Sequence, residues 1–307
     1  AVLVLGIAQD AGYPQAGCHG ACCAPAWQDP SLRRHAASLA IVDPASGGRW
    51  IIDATPDFKI QLRLLDERFP PEPARAAPAL DGIFLSHGHI GHYPGLWNLG
   101  AEAMAARGVP VHAMPRMAEF LRGNLPWSDL IAGGHVRLVE MAAGGRRELA
   151  PGLSLTPLRV PHRDEHTETV CFHIEGPSRS LLYIPDIDSW EQWERAGERI
   201  EDWLARVDGA VVDGTFFDGS ELPGRDLAKI PHPTVAATMK RLEGLSQELR
   251  GRLRFTHLNH SNPLLRAGAA AGQEAKDEWV DEVGREARRR VDAAGFGVAA
   301  EGEVWAL

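Results

Sequence analysis

The chain has 307 residues, a net charge of −9 and no Lys/Arg-rich run, which argues against a nucleic-acid-binding footprint. Hydrophobic residues make up 44% and charged residues 24%, a balance that fits a folded globular protein and not a disordered one. No apolar run approaches the roughly 18–20 residues that span a bilayer, so neither a membrane nor a nucleic acid is expected as a partner and a cytoplasmic location is expected.

Apolar, β-branched runs alternate with helix-like stretches from end to end. Ala1 to Gly6 reads as a first strand and is too short for the apolar core of a signal peptide. Three of the four cysteines follow closely, Cys18, Cys22 and Cys23, while Cys171 stands apart. Clustered thiols in a chain of this length suggest metal binding or a reduced compartment, not a disulfide scaffold. Strands are predicted at 37–42 and 49–53, then a helix at 56–68 with Pro56 at an early position. Pro70 to Pro78 reads as a surface connection, not a domain linker. A strand at 81–85 leads to a helix at 95–107, then a strand at 109–113 and a helix at 115–123. Strands are predicted at 135–139, 153–160, 169–175 and 180–184, followed by a helix at 190–206. The remainder reads as strands at 209–213, 252–256 and 296–306 and helices at 233–248 and 276–294. Mixed elements without a repeat predict one α/β domain over 1–307, built in layers. Trp190, Trp193 and Trp203 fit the core or an interface, which leaves a homodimer open.

The most informative segment is Ser86-His87-Gly88-His89-Ile90-Gly91-His92. It follows the apolar run ending at Leu85 and precedes Pro94-Gly95-Leu96. In extended backbone, residues two apart share a face, so His87 and His89 project together. His92 sits at the turn and approaches the same point from another side. Three imidazoles so placed suit Zn²⁺ or Fe²⁺. A chance cluster of surface histidines is the alternative, and the position directly after a buried strand argues against it.

This loop resembles the His-x-His-x-Asp-His motif of the metallo-β-lactamase superfamily. That resemblance implies a four-layer αββα sandwich and a metal-dependent hydrolase. It assigns the first metal to His87, His89 and His162, makes Asp186 the bridge and the catalytic carboxylate, and gives the second metal to His92 and His257. His162, Asp186 and His257 each follow an apolar run. Asp53, at the end of Trp50-Ile51-Ile52, resembles the early aspartate that orients ligands from behind, and a helix N-cap is its alternative role. Gly91 stands where the family has Asp. The resemblance therefore implies a mononuclear or asymmetric site, with Gly91→Asp expected to raise metal content toward two ions.

Further stretches resemble the coenzyme PQQ biosynthesis protein B group across the whole chain: Gly6 to Cys18, Asp213-Gly214-Thr215-Phe216-Phe217 and His257-Leu258-Asn259-His260-Ser261-Asn262-Pro263. By that resemblance Asp213, Thr215, Asn259 and His260 are pocket candidates. That group lacks the first two loop histidines and keeps the Asp-His ending, whereas this chain does the reverse. Relatives also hold a structural zinc through Cys-x-Cys-x-x-Cys. Here Gly20 replaces the middle cysteine, and two readings stay open. Either Cys18, His19, Cys22 and Cys23 bind a separate Zn²⁺, with a distant histidine contributing, or the loop has lost its ion.

The expected activity is hydrolysis of a small-molecule or small peptide-derived substrate through a metal-bound hydroxide, with Zn²⁺ as the first choice of ion and Fe²⁺ as the second. The alternatives are an iron-dependent oxygenase in PQQ-type cofactor biosynthesis and a metal-binding or carrier protein without turnover.

Overall fold

The structure is a computed structural model that describes residues 1–222, 224, 231–266 and 281–307. Among these residues the strands are β1 (Val2–Gly6), β2 (Ser38–Asp43), β3 (Gly48–Ile52), β4 (Gly82–Phe84), β5 (Val109–Ala113), β6 (Val136–Glu140), β7 (Arg147–Ala150), β8 (Leu153–Arg159), β9 (Val170–Glu175), β10 (Ser180–Ile184), β11 (Gly209–Asp213), β12 (Leu253–Thr256), β13 (Gly297–Val298) and β14 (Val304–Trp305). The helices are α1 (Ala24–Gln28), α2 (Phe58–Arg68), α3 (Pro115–Gly123), α4 (Trp127–Ala132), α5 (Trp190–Arg195), α6 (Ile200–Arg206), α7 (Val235–Arg241), α8 (Gln247–Gly251) and α9 (Glu282–Ala293).

The strands make two seven-stranded sheets, in the orders β14-β1-β2-β3-β4-β5-β6 and β13-β12-β11-β10-β9-β8-β7. In the first, β14, β1, β2 and β3 pair antiparallel, and β3 to β6 pair parallel. In the second, β7 to β10 pair antiparallel, and β10 to β13 pair parallel. This is the expected αββα sandwich.

Why the strands read as continuous apolar runs is visible in where successive residues go. On β1, Val2 and Val4 enter the core between the sheets, and Leu3 and Leu5 enter the core under the outer helices. Leu39 and Ile41 of β2 split in the same way from Ala40 and Val42, and Trp50 and Ile52 of β3 split from Ile51. Both faces of the strands are covered, so the period-two alternation of apolar and polar residues disappears. Phe58 and Leu65 of α2, Met117 and Leu121 of α3, and Trp127 and Leu130 of α4 fill the outer core of the first sheet. Trp190, Trp193 and Trp203 are all buried against the second sheet, as a core role requires.

Several elements differ from expectation. The predicted helix at 190–206 is two helices, because Gly197 at φ +98° ends the first of them. The stretch at 95–107 gives only a 3-10 helix over Pro94–Leu99, closed by the Gly100 N–H on the Trp97 carbonyl. The predicted 233–248 helix divides into α7 and α8, the second capped by Ser246. Residues 276–280 of the last predicted helix lie outside the described residues. The predicted strand at 296–306 is two strands in different sheets, turning at Gly302 with φ +83°, so the chain's last described segment joins the two layers. The short elements α1, α4 and β7 carry too few residues to show a period.

Carboxyl ends of parallel strands gather along one edge of the sandwich. Asp53 follows β3, His87 follows β4, Asp186 follows β10 and His257 follows β12, while Asp213 closes β11. Among the described residues no helix is long and apolar enough to cross a membrane.

Candidate metal centre

Six side chains from four loops converge at that edge. His87, His89 and His162 bring one ring nitrogen each to within 4.8 Å of the others, and one ring nitrogen each of His87 and His92 and one carboxylate oxygen of Asp186 lie within the same distance of one another. His89 Nδ1 lies 3.1 Å from His162 Nε2. Asp186 sits between the groups: Oδ1 is 3.6 Å from His162 Nε2, and Oδ2 is 3.1 Å from His92 Nε2 and 3.3 Å from His257 Nε2. All six residues expected from sequence as metal ligands are therefore brought together.

The nitrogen facing away from the centre is tied down in four of the five histidines. His92 Nδ1 meets Asp53 Oδ2 at 2.8 Å, and His162 Nδ1 meets Asp188 Oδ1 at 2.8 Å. His87 Nδ1 meets Ser86 Oγ at 2.9 Å, and His257 Nδ1 meets Thr215 Oγ1 at 3.0 Å. Such bonds fix the ring plane and leave Nε2 as the inward lone pair, the arrangement metal-binding imidazoles adopt. Inside the ring of ligands, His87 Nε2, His92 Nε2 and Asp186 Oδ2 are buried without a hydrogen-bond partner. Buried polar atoms of this kind are costly unless something compensates them. Imidazole nitrogens plus a carboxylate form a donor set that suits zinc or iron, so these residues fit a metal.

The electrostatics agree. Burial, reinforced by the neighbouring imidazoles, holds the pKa of His87 well below the ordinary value and pushes that of His89 down to about 4, so both are neutral bases. At His92 burial again opposes protonation, but Asp53, Asp10 and Asp186 outweigh it and raise the pKa well above 6.5. The carboxylates that favour a proton there also favour a metal cation.

Two of these positions carry backbone strain. Asp53 has φ +65° and His257 has φ +58°, a region costly for residues with a side chain, typically about 1–3 kcal/mol. Asp53 is fully buried, accepts from the Ser86 N–H and hydroxyl at 2.8 Å each, and caps no helix. It therefore supports the histidine loop from behind, and the N-cap alternative is not what the structure shows.

The pocket candidates fall elsewhere. Asp213 and Thr215 are fully buried behind the cleft, with Thr215 Oγ1 donating to Asp213 Oδ1 at 2.7 Å. Asn259 donates to the Gln9 side chain. His260 points at the cysteines, with Nδ1 3.4 Å from Cys23 Sγ and 3.7 Å from Cys22 Sγ. Cys18, Cys22, Cys23 and His260 form a four-donor cluster, while His19 is exposed. A wall of the cleft that sequence did not indicate is His232, whose Nδ1 lies 2.7 Å from Asp213 Oδ2. Burial opposes its charge, but the Asp213 carboxylate prevails and raises its pKa to about 9. Its signal was there, a histidine between two prolines in Pro231-His232-Pro233, but no ligand spacing pointed to it.

The gap expected at Gly91 is also absent. Asp10, from the loop after β1, lies in that space, with Oδ1 3.2 Å from both His92 Nε2 and His257 Nε2. A carbon added to Gly91 would lie 2.5 Å from the Asp10 Cα and Cγ, so Gly91→Asp has no room to add a ligand in this arrangement. A cleft of about 430 Å³ opens beside the group, lined by Asp10, His89, His162, Arg163, Asp186 and Phe216 among others.

Known proteins are similar to this chain along most of its length. Residues 49–258 match the family model described as beta-lactamase superfamily domain. Coenzyme PQQ synthesis protein B of Methylorubrum extorquens strain PA1 is 27% identical over 290 residues, 86% of this chain and 91% of that protein. The protein of the same name from Methylobacterium radiotolerans is 29% identical over 328 residues, covering 98% of each. Among solved structures, Zn²⁺-bound PqqB from Methylobacterium extorquens superposes with a TM-score of 0.76 at 23% identity, over 100% of this chain and 99% of that one. A diphosphatase from the PhnP family superposes with a TM-score of 0.65 at 21% identity, over 100% and 97%. With the family model spanning more than half of the chain, this protein belongs to the metallo-β-lactamase superfamily.

Proposed function

We propose that the chain is a metal-dependent hydrolase acting on a small ester, lactone or phosphodiester in the cleft above His89 and Asp186. The observation that carries this reading is the set of inward, unpartnered buried donors, His87 Nε2, His92 Nε2 and Asp186 Oδ2. His87, His89 and His162 would hold a first ion, His92 and His257 would serve a second, and Asp186 would bridge. Zn²⁺ is the preferred ion. When bound it supplies Lewis acidity and lowers the pKa of a coordinated water to about 7.

The chain's own groups do the rest. Asp186 holds its two oxygens toward opposite histidine groups and can orient a water between them. His232 lines the cleft with Nδ1 committed to Asp213, which fixes its tautomer and keeps a proton available on the other nitrogen for a leaving group. Arg163 lines the same cleft and gives an anionic group on the substrate a counter-charge. Cys18, Cys22, Cys23 and His260 would hold a separate structural Zn²⁺, since three thiols and one imidazole make a complete tetrahedral set.

A second reading is an iron-dependent oxygenase in PQQ-type cofactor synthesis, favoured by the near full-length similarity to coenzyme PQQ synthesis protein B. Metal analysis of purified protein together with turnover on ester, lactone and phosphodiester panels separates the two. Zinc with hydrolysis that His87→Ala and His162→Ala abolish supports the hydrolase. Iron with oxygen consumption on a tyrosine-like compound, and no hydrolysis, supports the oxygenase. Unchanged metal stoichiometry in both variants would sink the ligand assignment.

A further inference from the structure

We infer that Asp10 is a ligand of the second metal and replaces, from a different part of the chain, the aspartate that the histidine loop lacks at Gly91. The inference rests on the metal-centre reading above. Its first support is position. The volume a side chain at 91 would enter is filled by Asp10, whose Cα and Cγ lie 2.5 Å from a carbon built on Gly91. The loss at one position and the gain at the other are a single steric fact: the backbone of residue 10 can come this close only because residue 91 has no Cβ.

Its second support is aim. Asp10 Oδ1 is 3.2 Å from His92 Nε2 and 3.2 Å from His257 Nε2, and these three atoms form one of the groups able to hold an ion. Asp186 Oδ2 lies 3.1 and 3.3 Å from the same two nitrogens. His92 Nε2 and Asp186 Oδ2 are fully buried and without hydrogen-bond partners. Two imidazoles and two carboxylates surround one point, a four-donor set that needs nothing from residue 91.

Its third support is rigidity. The Gln9 N–H donates to the Leu258 carbonyl at 2.8 Å, and the Leu258 N–H donates to the Ile7 carbonyl at 2.8 Å. The Gln9 side chain accepts from Asn259, and Gly12 at φ +70° turns the chain with its N–H on the Gln9 carbonyl. Asp10 is thus fastened to the segment that carries His257, which places two ligands of one ion on mutually bonded loops.

The test is zinc titration of metal-stripped protein by calorimetry, with bound metal counted by mass spectrometry, for wild type, Asp10→Asn, Gly91→Asp and His87→Ala. Asp10→Asn keeps size and removes the charged donor. It is expected to lose one zinc equivalent, or to bind that equivalent at least about 100-fold more weakly, since even outer partners of ligands are worth about 10–100-fold. His87→Ala is expected to disturb a different equivalent, and Gly91→Asp to gain none. A zinc-loaded crystal of the wild type should show a carboxylate oxygen of Asp10 at about 2.0–2.2 Å from the second ion, a readout independent of how any variant folds. Asp10→Asn with wild-type stoichiometry and affinity, or a second ion without Asp10 in its coordination, would overturn the inference while leaving the metal centre intact. A wild-type protein that takes up no zinc at the histidines would overturn both.

Discussion

Asp53 and His92 are joined at 2.8 Å, and the same carboxylate also accepts the N–H and hydroxyl of Ser86. One buried anion therefore fixes the start of the histidine loop and the ring plane of its last member. The φ of +65° at Asp53 turns that carboxylate under the loop, and Asp and Asn are the residues with side chains that best tolerate this conformation.

Asp53→Asn should preserve the turn and lose the charge. Zinc affinity at the His92 side is expected to fall about 10–100-fold, with the folded state retained. Asp53→Ala should add strain at positive φ and unpair Ser86, and so lower thermal stability as well. Competition of each purified variant against a zinc chelator measures the first effect and a melting curve the second. An Asp53→Asn protein with unaltered zinc affinity would show that the carboxylate charge does not support His92.

Much of the centre was legible because its ligands follow apolar runs. His87, Asp186 and His257 each come after a mostly buried strand, readable as a largely apolar run. Asp10 was not legible. It is far in sequence from His92, in a loop without periodicity, and nothing local marks an aspartate as the occupant of a space left by a distant glycine. The family resemblance makes His260 a pocket candidate, yet the turn after β12 aims it at the cysteines. The stretch 190–206 reads as one helix, and the left-handed backbone at Gly197 divides it into two.

Asp188 holds His162 as Asp53 holds His92, through Nδ1 at 2.8 Å. Asp188→Ala should free the ring and weaken the proposed first metal position by about 10–100-fold, without changing zinc uptake at the cysteine cluster. Cobalt substitution separates the two, because thiolate-to-cobalt absorption reports only the Cys18, Cys22 and Cys23 cluster. Loss of the thiolate signal in Asp188→Ala would contradict the assignment.

His232 carries the leaving-group proton in the proposed reaction. His232→Gln should keep both zinc positions and lower kcat by about 100- to 10,000-fold on substrates with poor leaving groups. The loss should shrink when the leaving group is a nitrophenolate, which needs no proton. Equal losses on both kinds of substrate would assign His232 to positioning and not to proton transfer.

The cysteine cluster anchors the same N-terminal loop that carries Asp10. Cys22 and Cys23 face His260, and the Tyr13 hydroxyl donates to the Cys22 carbonyl at 2.6 Å. Cys22→Ser should remove one zinc equivalent and lower the melting temperature of the zinc-loaded protein, because a structural zinc contributes its binding free energy to folding. Wild-type zinc content in this variant would remove the cluster from the list of metal sites.

A last test lies away from the metal, where the turn between β13 and β14 meets the N-terminal half. Glu301 accepts the His35 backbone N–H at 2.5 Å and faces His35 Nδ1 at 3.2 Å. Burial opposes protonation of His35, but Glu301 outweighs it, with help from Asp57, and the pKa is raised above 6.5. A raised folded-state pKa means that protons bind the folded chain more tightly than the unfolded one. The resulting stabilisation is complete below pH 6.5, the unfolded value, and fades as pH rises through the folded-state pKa of His35. Glu301→Gln removes the charge that raises it. The stability difference between wild type and this variant, read from urea unfolding, should therefore be larger at mildly acidic pH than at alkaline pH. A difference independent of pH would mean that the backbone bond alone, and not the charged pair, holds this turn against the first sheet.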